Sequence, residues 1–476
     1  MLRLLPALGL LFAVPHPAGA LHKATPASGR VTHGAPVALP STRAWGYLLA
    51  FASTEDLLVT GSTGRQIFLF RLFDYDCLSG PPIDELATCP GSPEPLMQVT
   101  AGPGGADNPS VTIAGTLLAF EADGAYAGGV GPGVGQRQIF LLDLVTSTLT
   151  RVTDAPDGDS VRPSLDESGR RLAFASTAPL RGGPGGQSQI FLYEVSTGAL
   201  TTITHGAGPS TAPMLTKLGR LVAFESTADL LGDGHDTGVA QVFWYDALAG
   251  RLHQLTQGNA PSRHPYVTNR LRNGLKKVVG SGAAIVFESA ATDLPATAGG
   301  PGTQVYLATT RRFDLPPIYQ LTPVQVPGCP PSPPGDSTDP AFDAFGRAIT
   351  FVGTGDFFCN ATSGRRAFVV DPRRLPATLF QLTSRGDVQG PVVASMGHWF
   401  AALSTTDDMS GQGVCGHQVQ FVNFFAGGWQ PAILPGEIPV EPTPADPALG
   451  CDDGDVCTTD ACVADVCQHA PIPACP

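Results

Sequence analysis

The stretch Pro163-Ser-Leu-Asp-Glu-Ser-Gly169-Arg-Arg-Leu-Ala-Phe174 decides the fold. It recurs as Pro40/Gly46/Phe51, Pro109/Gly115/Phe120, Pro213/Gly219/Phe224 and Pro340/Gly346/Phe351. Two further copies are irregular. An eleven-residue insertion separates Pro265 from Gly282 before Phe287, and Pro391 and Gly397 are followed by Ala402 in place of Phe. The glycines fall 69, 54, 50, 63, 64 and 51 residues apart, a period that suits one small antiparallel sheet per unit.

Each unit offers four strand-like segments. The first runs from the proline to the glycine, whose tight turn calls for positive φ. The second is Arg171-Leu-Ala-Phe174 or Leu221-Val-Ala-Phe224. The third is rich in aromatic and branched residues, as in Gln66-Ile-Phe-Leu-Phe70, Gln138-Ile-Phe-Leu-Leu142, Gln189-Ile-Phe-Leu-Tyr193 and Gln241-Val-Phe-Trp-Tyr245. The fourth ends in a hydrophobic residue and threonine: Val99-Thr100, Val152-Thr153, Ile203-Thr204, Leu255-Thr256, Leu321-Thr322 and Leu382-Thr383. A seventh such ending is missing after Val419-Gln-Phe-Val-Asn423, whereas an orphan Arg30-Val-Thr32 precedes the first unit. The economical reading is an all-β ring, a seven-bladed β-propeller closed by an N-terminal strand, here expected at Arg30–Thr32, which leaves only short protected edges. A β-sandwich or two consecutive barrels would also give many short strands, but neither explains the displaced strand.

Units reading Pro-x5-Gly-x-x-(Leu/Ile)-Ala-Phe-x-Ser, then Gln-Ile-(Phe/Tyr)-Leu-Tyr-Asp, a Thr-Gly turn such as Ser196-Thr-Gly198, and Leu-Thr, resemble TolB-type (WD-repeat-like) propeller repeats over roughly residues 30 to 425. The resemblance implies the fold strongly. It implies function weakly, since such propellers serve as periplasmic adaptors, as non-catalytic domains of peptidases and as secreted proteins of other kinds. This chain has no second catalytic domain of the peptidase kind, and its turns read Asp-Glu-Ser-Gly or Lys-Leu-Gly more often than the Asp-Gly that the family favours.

Residues 1–20 carry Arg3, an apolar run from Leu4 to Val14, and Ala18-Gly-Ala20, which reads as a secretory signal peptide cleaved near Ala20. The propeller is then expected over 21–425, a proline-rich linker over 426–450 and a Cys-rich, disulfide-stapled tail over 451–476. No later stretch approaches the ~20 apolar residues that span a bilayer, so an exported chain, periplasmic or extracellular and monomeric, is expected. A net charge of −13, with 14% charged residues and 102 Gly plus Pro among 476, fits a loop-rich all-β exported protein. The acidic balance argues against nucleic acid, whose binding rests on neutralising phosphates. Arg263, Arg270, Arg272, Lys276 and Lys277 crowd the insertion of the fifth unit, as a solvated hairpin or a docking point for an anionic partner.

Ten cysteines in an exported chain point to disulfides. Cys77 with Cys89, and Cys329 with Cys359, are the pairs that propeller geometry suggests, with Cys359 to Cys415 as the competing arrangement. Cys451, Cys457, Cys462, Cys467 and Cys475 form an odd-numbered tail that resembles the short Cys-rich modules of large secreted bacterial proteins. A bridge from the tail to Cys415 would make both counts even. So short a tail cannot bury a core of its own.

Loops entering each innermost strand ring the mouth of a propeller's channel. The residues just before the repeated prolines are Leu39, Asn108, Arg162, Ala212, His264, Asp339 and Gly390. Among them Arg162, His264, Asp339 and Asn108 are the candidate ligand-binding residues, suited to a carboxylate or a peptide end if they converge; solvated loops are the alternative. Asp159, Asp336 and Asp387 recur just ahead of these positions. The repeated Gln66, Gln138, Gln189, Gln241 and Gln304 read as structural, hydrogen-bonding the preceding loop. No metal site is expected. Asp452-Asp-Gly-Asp455 with Asp460 is a weak calcium candidate without EF-hand spacing, and the tail lacks the paired Cys-x-x-Cys of a zinc site. Asn360-Ala-Thr362 matches a glycosylation acceptor. No Gly-x-Ser-x-Gly, His-Glu-x-x-His or phosphate-binding glycine loop is present, so no catalytic residue is assigned. The expected function is a secreted or periplasmic binding or scaffold protein engaging a protein, peptide or cell-envelope partner. The alternatives are an extracellular hydrolase or lyase at the channel mouth and a structural surface protein.

Overall fold

The computed structural model describes residues 21–23 and 37–40, most of 47–72 and of 96–423, and the hairpin strands 458–463 and 466–471. Its strands form four-stranded antiparallel sheets arranged as a β-propeller. Six sheets are each built from four strands consecutive in the chain. The third shows the plan: Ser160–Leu165 innermost, then Arg171–Ser176, Gln189–Glu194 and Ala199–Thr202 outermost. The other innermost strands are Val37–Pro40, Ala106–Val111, Ser210–Leu215, Ser262–Thr268 and Ser337–Phe342. A seventh four-stranded sheet is composite, joining Val388–Val393, Trp399–Ser404 and Gln418–Asn423 to the N-terminal strand Leu21–Lys23. Innermost strands neighbour one another in chain order, and Val388–Val393 lies against both Ser337–Phe342 and Val37–Pro40.

The N-terminal strand is not the expected one. Leu21, His22 and Lys23 pair with Val422, Phe421 and Gln420, whereas Arg30–Thr32 lies outside the described residues. The expectation had relied on a terminal threonine, which an outer strand does not require. Hydrogen bonding to Gln418–Asn423 uses backbone groups alone, and any short extended segment can supply them.

The repeated residues each do one structural job. The repeated Phe of the second strand stacks on the aromatic of the third: Phe51 on Phe68, Phe120 on Phe140, Phe174 on Phe191, Phe224 on Phe243, Phe287 on Tyr306 and Phe351 on Phe368, with ring centroids 5.3–5.8 Å apart. These rings are buried, and together with Ile, Val, Leu and Ala of the middle strands they form the cores between successive sheets. The threonine after the fourth strand accepts the N–H of the residue that follows the repeated Gln, as in Ile139 N to Thr153 Oγ1 at 2.9 Å and Ile190 N to Thr204 Oγ1 at 2.9 Å. Six sheets share this bond. Turn glycines Gly115, Gly169, Gly219 and Gly346 have φ of 63–70°, the left-handed region the sequence called for.

The repeated glutamines are buried and structural, but they hold the following loop rather than the preceding one. Gln138, Gln189, Gln241 and Gln304 donate through Nε2 to the carbonyls of Ala155, Gly206, Gly258 and Gly335, which lead into the next sheet. In the tail, Thr458–Val463 and Val466–Pro471 form a hairpin whose register sets Cys462 opposite Cys467. Cys77, Cys89, Cys329, Cys359, Cys415, Cys451, Cys457 and Cys475 lie outside the described residues, as do Asn360-Ala-Thr362, Asp452–Asp455, the linker and residues 1–20.

Candidate functional site

The residues before the repeated prolines share an unusual backbone. Asn108, Arg162, Ala212, His264 and Asp339 have φ of 48–53°, although none is glycine. Each sits where strand pairing slips, for example between Val161 and Ser164 or between Arg263 and Tyr266. Here the innermost strand carries a bulge at its entry. Proline removes a ladder donor at this point, and the left-handed residue before it turns the chain, at about 1–3 kcal/mol of local strain each. The bulge re-aims a side chain at the same level of every such sheet, which makes it the natural place for a variable site.

A carboxylate from the preceding sheet holds three of these bulges. Arg162 N donates to Glu121 Oε2 at 2.6 Å, His264 N to Glu225 Oε2 at 3.0 Å, and Asp339 N to Glu288 Oε2 at 2.8 Å. Each glutamate directly follows the repeated Phe. In the third sheet that position is Ala175, so Ala212 has no carboxylate there. Asn108 N is held instead by the side chain of its neighbour Asp107 at 2.9 Å.

At the fifth and sixth sheets the tether becomes a cluster. Glu288 Oε1 lies 2.9 Å from His264 Nδ1, and Asp339 Oδ1 lies 3.9 Å from that same nitrogen. Asp339 Oδ2 accepts Arg365 Nη2 at 3.2 Å. Glu288 is buried, whereas the His264 side chain keeps 43% of its surface exposed, so an imidazole faces solvent above a buried carboxylate. The hydrogen bond to Glu288 raises the His264 pKa above 6.5 against the effect of burial, with Glu225 and Asp339 adding to the rise. Burial, then the nearby Glu288 charge, pushes Asp339 above 3.8, partly offset by His264 and Arg365. The Glu288 charge contributes to both shifts, whereas burial opposes the first and leads the second.

His264 and Asp339 therefore do converge, while Arg162 and Asn108 occupy the equivalent bulges of other sheets and contribute to none of these bonds. Glu288 and Arg365 were not found by sequence reasoning. The signal for Glu288 was visible, a Phe-Glu pair at Phe120, Phe224 and Phe287, but its partner is a backbone N–H one repeat away. Arg365 stands just before the sixth sheet's third strand, as Arg65 does in the first, while Arg137 opens the third strand of the second sheet; Arg65 and Arg137 pair with Asp107 and Glu121. Asp159 and Asp336 accept the N–H of Arg137 and Thr303 at 2.7 Å, so they cap third strands, while Asp387 lies outside the described residues. Arg263 is exposed; Arg270, Arg272, Lys276 and Lys277 fall in the undescribed stretch 269–281.

No family model matches the chain, and no curated relative matches its sequence. Among solved structures it is similar to an oligogalacturonate lyase from Vibrio parahaemolyticus, with 12% identity over 85% of this chain and 93% of that one and a TM-score of 0.51. It is also similar to TolB from Acinetobacter baumannii, with 16% identity, 75% and 67% coverage and a TM-score of 0.41. The β-propeller domain of the Trilobed protease from Pyrococcus furiosus matches with 8% identity, 86% and 96% coverage and a TM-score of 0.46. At such identities the likeness to the lyase shows a shared propeller fold and nothing of the chemistry.

Proposed function

We propose that this chain is an exported, non-enzymatic binding protein whose sheets close into a seven-bladed ring, and that it engages a peptide, protein or cell-envelope partner at the channel mouth. The observation that carries this reading is the group His264, Glu288, Asp339 and Arg365, gathered from two adjacent sheets and open to solvent on the imidazole side. Such a set suits a partner bearing both charges, with the carboxylates facing a cationic group and Arg365 an anionic one. The run Leu4–Val14 followed by Ala18-Gly-Ala20 supports export, and among the described residues no helix is long and apolar enough to cross a membrane. Binding of the mature chain to an array of random-sequence peptides tests it. Retained signals should fall at least tenfold in both Asp339→Ala and Arg365→Ala, and equal signals on wild type and variants would remove the mouth as the binding end.

A hydrolase or lyase reading draws on the His264–Glu288 hydrogen bond, which resembles a base held by its orienting carboxylate. Turnover of glycan or peptide substrates by wild type that vanishes in His264→Ala would favour it.

A further inference from the structure

The repeat supplies an internal control for what belongs beside Glu288. In the second sheet the equivalent carboxylate, Glu121, spends one oxygen on the bulge N–H of Arg162 and the other on a resident cation, Arg137 Nη2 at 3.2 Å. In the fifth sheet the position of Arg137 is Thr303, and the bulges at this place present His264 and a second carboxylate, Asp339. The fourth sheet's Glu225 also lacks that cation, with Ala240 at the position of Arg137, but its second oxygen accepts Thr211 Oγ1 at 3.0 Å; at Glu288 the second oxygen instead faces another metal-ligating side chain, His264. We propose that His264, Glu288 and Asp339 form a binding site for one divalent transition-metal ion, with zinc the best-suited probe.

The geometry supports it in three ways. First, each carboxylate has one oxygen already fixed by an outer partner and the other turned inward. Glu288 Oε2 holds the Asp339 N–H while Oε1 faces the imidazole, and Asp339 Oδ2 holds Arg365 while Oδ1 faces the same ring. Orientation of ligands by such outer hydrogen bonds is a regular feature of metal centres. Secondly, the three donor atoms lie within 4.8 Å of one another. Zinc with bonds of about 2.1 Å in a tetrahedron needs donors about 3.4 Å apart, so His264 Nδ1 and Asp339 Oδ1, now 3.9 Å apart, close by about half an ångström while His264 Nδ1 and Glu288 Oε1, now 2.9 Å apart, open by as much. Thirdly, among the described residues three carboxylates, Glu225 included, face one guanidinium and one imidazole, a deficit that a dication fills. An imidazole among the donors favours zinc or its neighbours over calcium, which takes oxygen ligands. Three protein donors leave a coordination position open toward the mouth, where a partner's carboxylate or imidazole could complete the shell. This step rests on the mouth being the binding end, and a peptide result without a metal result would lose only the metal.

The test is titration of chelator-stripped, full-length mature protein with zinc chloride by calorimetry. One equivalent should bind, with affinity at least tenfold weaker in His264→Ala and in Asp339→Ala and unchanged in Arg162→Ala, which alters the same bulge in another sheet. Circular dichroism confirms that each variant is folded. Cobalt(II) loading separates this site from the cysteines: a spectrum of nitrogen and oxygen ligation is expected, without thiolate charge-transfer absorption. Failure of the wild type to bind zinc, binding undiminished in the His264 and Asp339 variants, or a thiolate band would each overturn the proposal.

Discussion

Glu288→Ala is the most informative single change, because one side chain both ties two sheets together and shapes the candidate site. The substitution removes the charge-assisted bond from Asp339 N at 2.8 Å and the contact with His264 Nδ1 at 2.9 Å. A hydrogen bond to a charged group contributes about 1.5–3 kcal/mol, and an N–H left without its acceptor in this part-buried bulge adds a penalty toward the low end of about 1–3 kcal/mol. The half-exposed imidazole contributes at the low end of that scale, so the expected loss is about 3–5 kcal/mol. For a chain of this length that corresponds to a melting temperature lower by roughly 3–5 °C. Glu288→Gln keeps the shape and an acceptor for the Asp339 N–H but loses the charge, and should cost about 1–2 kcal/mol. Urea unfolding followed by circular dichroism, with Glu121→Ala as the parallel change in the second sheet, measures all three. A loss below about 1 kcal/mol for Glu288→Ala, or equal losses for Ala and Gln, would refute the view that this carboxylate couples the sheets through the bulge.

Three further outcomes follow from the same geometry. Gln241→Ala breaks bonds to Gly258 O at 2.8 Å, from Gly258 N at 3.1 Å and from Thr256 Oγ1 at 2.7 Å, and should lower stability in urea by about 3–5 kcal/mol. Gly353→Ser would offer Ser337 Oγ, unpartnered among the described residues, the hydroxyl that Ser160, Ser210 and Ser262 find in their sheets; yet a Cβ there would stand 2.9 Å from both Phe357 and Phe368, so a loss of about 1–3 kcal/mol is expected in thermal melts. Stability should fall as pH rises through two windows. His264 and Asp339 both bind protons more tightly folded than unfolded, so each contribution is complete below its ordinary pKa, 6.5 and 3.8, and is lost as pH climbs through the raised folded value. Unfolding free energies between pH 4 and 9 should show the upper step in wild type and not in His264→Gln.

What could be read from the chain, and what could not, follows from how far apart the interacting residues lie. Gln241 and Gly258 are 17 positions apart within one unit, and Val242 and Thr256 are 14 apart, and the same two intervals return in the second and third sheets and print themselves on the sequence. The pre-proline positions were equally visible, since a bulge that re-aims a side chain must sit at one fixed place in each innermost strand. Their partners were not. Glu288 reaches Asp339 across 51 residues and Arg365 reaches it across 26, through intervals that vary with loop length, and half of the first contact is a backbone N–H that carries no residue identity. The closing strand was hidden for a related reason: its pairing to Gln420–Val422 is set by backbone groups, which leave no side-chain signature at Leu21–Lys23. Local repetition thus builds the scaffold and advertises itself, and function collects where a repeat departs from its pattern. At Ala175 the tether is simply dropped; at Thr303 the resident cation is dropped while His264 and Asp339 are added. At the second departure a buried carboxylate meets a half-exposed imidazole in place of a guanidinium, so the charge keeps a partner whose own protonation and ligation are open to solvent.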